Sequence, residues 1–383
     1  MFETIIPLFL SALAPSAAPA APLPAAALRT DEKGAVVHWK GAAYPPDALP
    51  EEMPEVVAAA VASWAEWGAR KGYRLDVDDE GRVILMTMGK SAPEKDLELV
   101  AQTTELFDRL LPAPERTAED LAVREVEWGA AQLVPDRDPV VLVRVKDPSH
   151  YDSLLDQMAS TQPDLSGWAR SARGQTGFVS QATQAGAWLE APPGLELGQV
   201  WRSENELVNR LTQLLFYRRF GTQPHWFKIA LAWNLEQGVL RSIYSFPGRD
   251  EFVGIGEHSG WEPELKRRFK KRKHEPLAVD EVATWKQGEW DMQSAQIAWG
   301  LMAFLAEHRP DALSAIAEDL RKYHKAHSII THPDGKWEIV PGYEVPAEVQ
   351  AEIIRRHAGE DCLAEASEFF RKGKRYKPSK TRR

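Results

Sequence analysis

Residues 205–238 read NELVNRLTQLLFYRRFGTQPHWFKIALAWNLEQG, and the fold of the chain turns on them. Ser203 precedes an apolar run at helical spacing that closes at Gly221, with Leu207, Leu211 and Leu214 along one face. Asn205 and Asn209 are four residues apart, so they project side by side from another face, with Thr212 and Phe216 further along it. Glu206 lies at the edge of that polar face. A second helix is expected to start near Pro224, after a short turn.

Two side chains one helical turn apart, with a glutamate beside the first, form the geometry of HExxH. There, two histidines hold zinc and the glutamate activates a metal-bound water. In this chain asparagine fills both histidine positions. The segment from about Tyr73 to Arg371 resembles the peptidase-MA-like, or gluzincin, metallopeptidases. NELVN carries the resemblance, together with Pro224, Trp226 and Ala232 of a second-helix pattern P-x-W-x-x-E-G-x-A. Residues 295–323, AQIAWGLMAFLAEHRPDALSAIAEDLRKY, are similar to the helices that follow the site in that family. The resemblance implies an α+β fold, with a small N-terminal sheet followed by a mainly helical half. It also implies a third ligand on the second helix. Counted along the motif from Pro224 that position is Ile229; counted by the aminopeptidase spacing from Asn209 it is Lys228.

The departures decide what the resemblance implies for function. An asparagine amide is a poor zinc ligand beside imidazole or thiolate. Lysine repels a dication and isoleucine has no donor. The expected protein therefore holds no metal and no cofactor, and Glu206 is a vestige of a catalytic base. On this reading the Lys228 ammonium takes over part of the missing positive charge and pairs with Glu206, while Asn205 and Asn209 close the site with neutral hydrogen bonds. His225 and Trp226 are expected to face the same cleft. Two plainer readings stand beside it. Ser203-x-x-Glu206 is a capping box, which explains Glu206 as helix-start chemistry. An NExxN pentapeptide also arises by chance.

The chain has 383 residues, 44% hydrophobic and 27% charged, so it can build a sizeable core. Its net charge of −9 argues against wholesale nucleic-acid binding. Fourteen tryptophans are many; buried rings would make them structural, whereas an exposed cluster would mark a binding cleft. An apolar run from Ile5 to Leu13 leads to Ala18-Pro19-Ala20, which predicts a cleaved leader over residues 1–20 and an exported protein, although Glu3 stands where a basic residue is customary. The competing reading is a cytoplasmic tail. Residues 21–50 are rich in Ala and Pro and read as a linker. Residues 51–376 form the peptidase-like domain, strand-containing to about residue 200 and helical after it, and 377–383 a basic tail. Within it, EVVAAAVASWAEWGARKG ending at Gly72 reads as a helix, 73–89 as a hairpin turning at Asp79-Glu80-Gly81, 92–111 as a helix and Val140–Val145 as a strand. Short strands are expected around Phe178 and Trp188.

Other signals are weaker. Lys266, Arg267, Arg268, Lys270, Lys271, Arg272 and Lys273 make a basic run that reads either as a solvated helix face or as a patch for anionic polymers. His324, His327 and His332 read as surface histidines near a helix end, lacking a carboxylate or cysteine at ligand spacing. VGIGEHSG (253–260) reads as a loop, and the single cysteine, Cys362, has the wrong setting for a nucleophile. No apolar stretch is long enough to cross a membrane. These expectations add up to a non-catalytic, gluzincin-like binding or scaffolding module of the cell envelope. Its partner would be a peptide or an envelope polymer rather than a specific nucleic acid. The alternatives are a hydrolase with a non-standard site around Glu206, and a structural envelope protein that binds anionic polymers through its basic segments.

Overall fold

The computed structural model describes residues 35–88, 93–115, 138–181, 183–191, 202–248, 251–255, 261–271, 277–285, 291–334, 337–340 and 342–373. At its centre is a mixed seven-stranded sheet. The strands are β1 (Val37–Trp39), β2 (Ala42–Tyr44), β3 (Tyr73–Val77), β4 (Val83–Met88), β5 (Val140–Val145), β6 (Gly177–Ser180) and β7 (Ala185–Leu189), in the order β2-β1-β3-β4-β5-β7-β6. β4, β5 and β7 run parallel, and each edge is closed by an antiparallel hairpin.

The central strands read as unbroken apolar runs because both faces of the sheet are covered. Val83, Leu85, Val140, Leu142 and Trp188 point to one side, while Ile84, Met86, Val141, Val143 and Val145 point to the other. Helices α1 (Glu55–Lys71), α3 (Pro148–Thr161) and α4 (Ser166–Ala172) cover the second side. The first side is covered by α2 (Glu94–Leu110), α5 (Ser203–Phe220) and α6 (His225–Leu240). The rest of the helical layer builds outward from these: α7 (Trp261–Lys271), α8 (Asp280–Ala283), α9 (Met292–His308), α10 (Pro310–Ser328), α11 (Ala347–Ala358) and α12 (Cys362–Lys372).

The expected α+β class holds, and the expected elements from α1 to β7 appear within a few residues of their anticipated limits. Gly72 ends α1 in the left-handed conformation, and Gly81 turns the β3–β4 hairpin. Three expectations are corrected. Part of the supposed linker, Val37–Tyr44, is a hairpin whose Val37 and Trp39 are buried in the core, so an Ala/Pro-rich neighbourhood hid a sheet edge. The loop reading of 253–260 fails at its start, since Val253–Ile255 belong to β9 (Glu251–Ile255), which pairs with β8 (Ile243–Gly248). With the hairpin β10 (Ile329–Thr331) and β11 (Trp337–Ile339), the second half is thus not purely helical. The anticipated leader, the tail 377–383, and Arg272 and Lys273 lie outside the described residues. Among the described residues no helix is long and apolar enough to cross a membrane.

Tryptophan is structural here. Trp39, Trp67, Trp188, Trp226, Trp233, Trp261, Trp285 and Trp299 are buried, and Trp64 and Trp168 are half-buried.

Two glycines set how closely α5 lies on the sheet. A Cβ on Gly177 would sit 2.6 Å from the Ala187 carbonyl oxygen and 3.0 Å from an Arg210 nitrogen, and one on Gly186 would meet Arg210 and Leu214 at 3.3 Å. The bare strands therefore leave room for the Arg210 side chain between helix and sheet. Gly177→Ala should destabilise the protein by more than about 2 kcal/mol, because the obstacle is backbone and has nowhere to go. Gly186→Ala, which faces only side chains that need give by a few tenths of an ångström, should cost less. Urea denaturation of the two variants tests the order; equal stabilities would show that the β6–β7 ladder gives way at Gly177 as readily as the side chains around Gly186.

Candidate functional site

α5 and α6 are joined by the short turn 221–224 and run antiparallel. Three contacts along the pair fix their register. At one end Lys228 Nζ donates to Tyr217 Oη. At the other, Asn209 Nδ2 donates to Glu236 Oε1 at 2.6 Å and Asn205 Nδ2 to Glu236 Oε2 at 2.9 Å. The residue that meets the two asparagines is therefore Glu236, in the last turns of α6.

This corrects the expected third position. Tyr217 lies eleven residues beyond Glu206 on α5, about 16 Å along a helix axis. Lys228 is held at that far end and forms no ion pair with Glu206. Ile229 packs against the helical core. Helix direction is the physical reason, since a residue in the first turn of α6 faces the end of α5 and not its start. A signal for Glu236 was present in the sequence: Trp233-x-x-Glu236 repeats Trp226-x-x-Ile229 seven residues on, two turns later on the same face, and there the fourth residue is a glutamate.

The network around Glu236 is closed. Its Oε2 also accepts from the Tyr244 backbone N–H at 3.1 Å. The Asn205 amide further donates to the Ser242 carbonyl at 3.0 Å, and Asn209 Oδ1 accepts from Gln213 Nε2 at 2.6 Å. Asn205, Asn209, Glu236 and Ser242 are all buried, Glu236 completely. That burial pushes the Glu236 carboxyl up to about 8, and the charge of Glu206 adds to the rise, while the two asparagine amides and Tyr244 N–H pull it down. Three N–H groups thus face the two carboxyl oxygens, and no cation among the described residues pairs with them.

Glu206 has a different partner from the one expected. Its Oε2 accepts from Arg210 Nη2 at 2.6 Å and Nε at 3.0 Å, one turn along α5, in the space that Gly177 and Gly186 leave free. The capping box is absent as well. Arg202 occupies the cap position with no side-chain bond, and Ser203 Oγ accepts from Trp188 Nε1 at 2.7 Å. Glu206 is thus the buried half of an ion pair. It serves neither as helix cap nor as a free base.

The remaining candidates separate. Trp226 is fully buried rather than lining a cleft, and its Nε1 donates to Gln350 Oε1 at 2.6 Å. His225 is half-buried with its ring edge-on to Trp285 at 4.9 Å. His324, expected at the surface, is buried; His327 is exposed and stacks on Tyr323 at 4.0 Å, and His332 faces Glu338. In the basic run, Lys266 pairs with Glu262, Arg267 with Glu264 and Arg268 with Glu281, while Lys270 and Lys271 are exposed. Cys362 is buried, which pushes its thiol up to about 12. Among the described residues no three of His, Cys, Asp or Glu gather where they could hold a metal ion. The chain matches no protein-family model and no curated protein.

The raised Glu236 carboxyl makes a signed prediction. Its folded value lies above the ordinary 4.5, so the folded state holds a proton that the unfolded state has released. The stabilisation is complete below about pH 4.5 and is lost as pH rises towards 8. Wild-type stability should fall by about 1 kcal/mol per pH unit across that window through this group alone. Glu236→Gln should flatten that slope in chemical denaturation at pH 5 and pH 8. An unchanged slope would mean that Glu236 is ionised in the native protein.

Proposed function

We propose that this chain is a metal-free, gluzincin-like protein that acts by binding or scaffolding in the cell envelope and not by hydrolysing peptides. One observation carries the reading. Two side chains one turn apart on α5 and a carboxyl from α6 converge, as the resemblance implies for a zinc site, yet their hydrogen bonds are made with one another and with Gln213, Ser242 and Tyr244. The donor set does not fit zinc. Both asparagines turn their N–H groups towards Glu236, so neither offers a lone pair there. Export is inferred from the Ile5–Leu13 run and Ala18-Pro19-Ala20, and a peptide or envelope polymer remains the natural partner for a fold of this type.

The two alternatives have less support. A hydrolase acting through Glu206 would need a free carboxylate, and Arg210 holds this one below the surface. Anionic-polymer binding through residues 266–273 loses three of its charges to neighbouring glutamates.

Metal analysis of dialysed protein should find far less than one zinc per chain, with a melting temperature indifferent to chelator, and casein should remain uncut. Stoichiometric zinc, or cleavage abolished by Glu236→Gln, would overturn the proposal. The constructive counterpart is the double variant Asn205→His/Asn209→His, which keeps Glu236 as the third ligand. It should bind one zinc per chain and become chelator-sensitive; a folded double variant that takes no zinc would remove the gluzincin-like reading of the helix pair.

A further inference from the structure

We propose that the turn between α5 and α6 is a binding site for a small oxyanion, a carboxylate or a phosphate, with the Lys228 ammonium as its charge partner and Tyr217 as a second hydrogen-bonding group. The inference is independent of the reading of the Asn205–Asn209–Glu236 cluster, which lies at the other end of the helix pair.

The argument starts from an unbalanced charge. Lys228 is 5% exposed, and its only hydrogen-bond partner among the described residues is the Tyr217 hydroxyl, with the amine 4.6 Å from the centre of that ring. No carboxylate among the described residues lies within ion-pair distance. A buried ammonium satisfied only by a hydroxyl is costly, and native proteins pair such charges. Two other buried charges show the contrast: Arg321 has Glu318, and Asp76 has Arg74.

The backbone sharpens the imbalance. Lys228 stands in the first turn of α6, where the helix dipole is already positive and acidic residues are favoured; that turn carries none. His225, one turn back, does not relieve it. Burial first, and the Lys228 charge second, push its imidazole down to about 3, so it is neutral, and its buried Nδ1 has no hydrogen-bond partner among the described residues. The amine and the phenol are thus in contact, the neutral imidazole is near enough to feel the Lys228 charge, and among the described residues no negative charge pairs with the lysine.

The turn borders the surface. Tyr217, which holds the amine, and Thr222, Pro224, His225 and Ile229 of the turn and the first residues of α6 are half-buried. A small oxyanion there would gain the lysine charge, the Tyr217 hydroxyl and the positive end of α6 together. Free phosphate and the carboxylate of a peptide or metabolite share this chemistry.

The test is a titration of the full chain with sodium phosphate and, separately, sodium acetate at constant ionic strength, read by melting temperature and by isothermal calorimetry. The wild type should show saturable, one-site stabilisation by at least one of the two, and which one identifies the class. Lys228→Met should weaken that binding by at least about tenfold, and Tyr217→Phe by about fivefold. Lys270→Met on α7 should leave it unchanged. In anion-free buffer Lys228→Met should melt at or above the wild type, since a buried charge without a counter-ion has been replaced by an apolar chain of similar length. If Lys228→Met instead lowers the melting temperature equally with and without anion, the lysine is only a structural partner of Tyr217 and the proposal fails. It fails equally if neither anion binds saturably, or if the variant binds as the wild type does.

Discussion

The carboxyl group of Glu236 holds the helical layer in register. It joins the start of α5 to the end of α6 through Asn205 and Asn209, and it reaches β8 through the Tyr244 N–H. Each of these groups is buried, so each would be costly without its partner. A slide of α6 along α5 by one turn would strand two amides and a carboxyl at once. The pair of helices therefore has one register, and that register sends Lys228 to the opposite end, beside Tyr217. The two polar features of the hairpin follow from one geometric decision.

The sheet makes the same hairpin possible from below. Gly177 and Gly186 leave a channel for Arg210, and Arg210 in turn supplies the cation that Glu206 needs. A buried ion pair of this type is weak evidence for stability, because desolvation of both charges offsets the attraction. Its more secure role is orientation: it ties the first turn of α5 to the second and gives Glu206 a partner of its own, while the asparagines donate to Glu236.

Much of this was legible in the sequence, and the failures have physical causes. α1, the β3–β4 hairpin, β5 and α5 carry strong local signals: apolar periodicity, a glycine stop, a turn glycine and an unbroken Val/Leu run. The asparagine pair on α5 was also visible, since i and i+4 must share a helix face. Its partner was not, because Glu236 comes to Asn205 only through the direction and register of a second helix, a tertiary property. The Lys228 assignment failed for that reason, having been counted along the chain when the relevant measure ran across the helix pair. β1 was hidden by composition, as Val37 and Trp39 sit beside an Ala/Pro-rich stretch but find a parallel partner in β3. The capping-box reading failed because a stronger partner was in reach of each residue, Trp188 for Ser203 and Arg210 for Glu206.

The strand order has a consequence for solubility. An open sheet has two edges, and each is a template on which another chain can add a strand. Here both outermost strands are short, three residues in β2 and four in β6. The turn leading into β2 carries exposed Lys40, so a charge stands at the point where a neighbouring strand would have to begin. The long Val/Ile/Leu runs of β4 and β5, which would be the most adhesive if exposed, lie three and four strands in from the β2 edge and are covered on both faces. The seven-stranded sheet thus keeps its aggregation-prone segments at its centre and ends on both sides in strands too brief to extend.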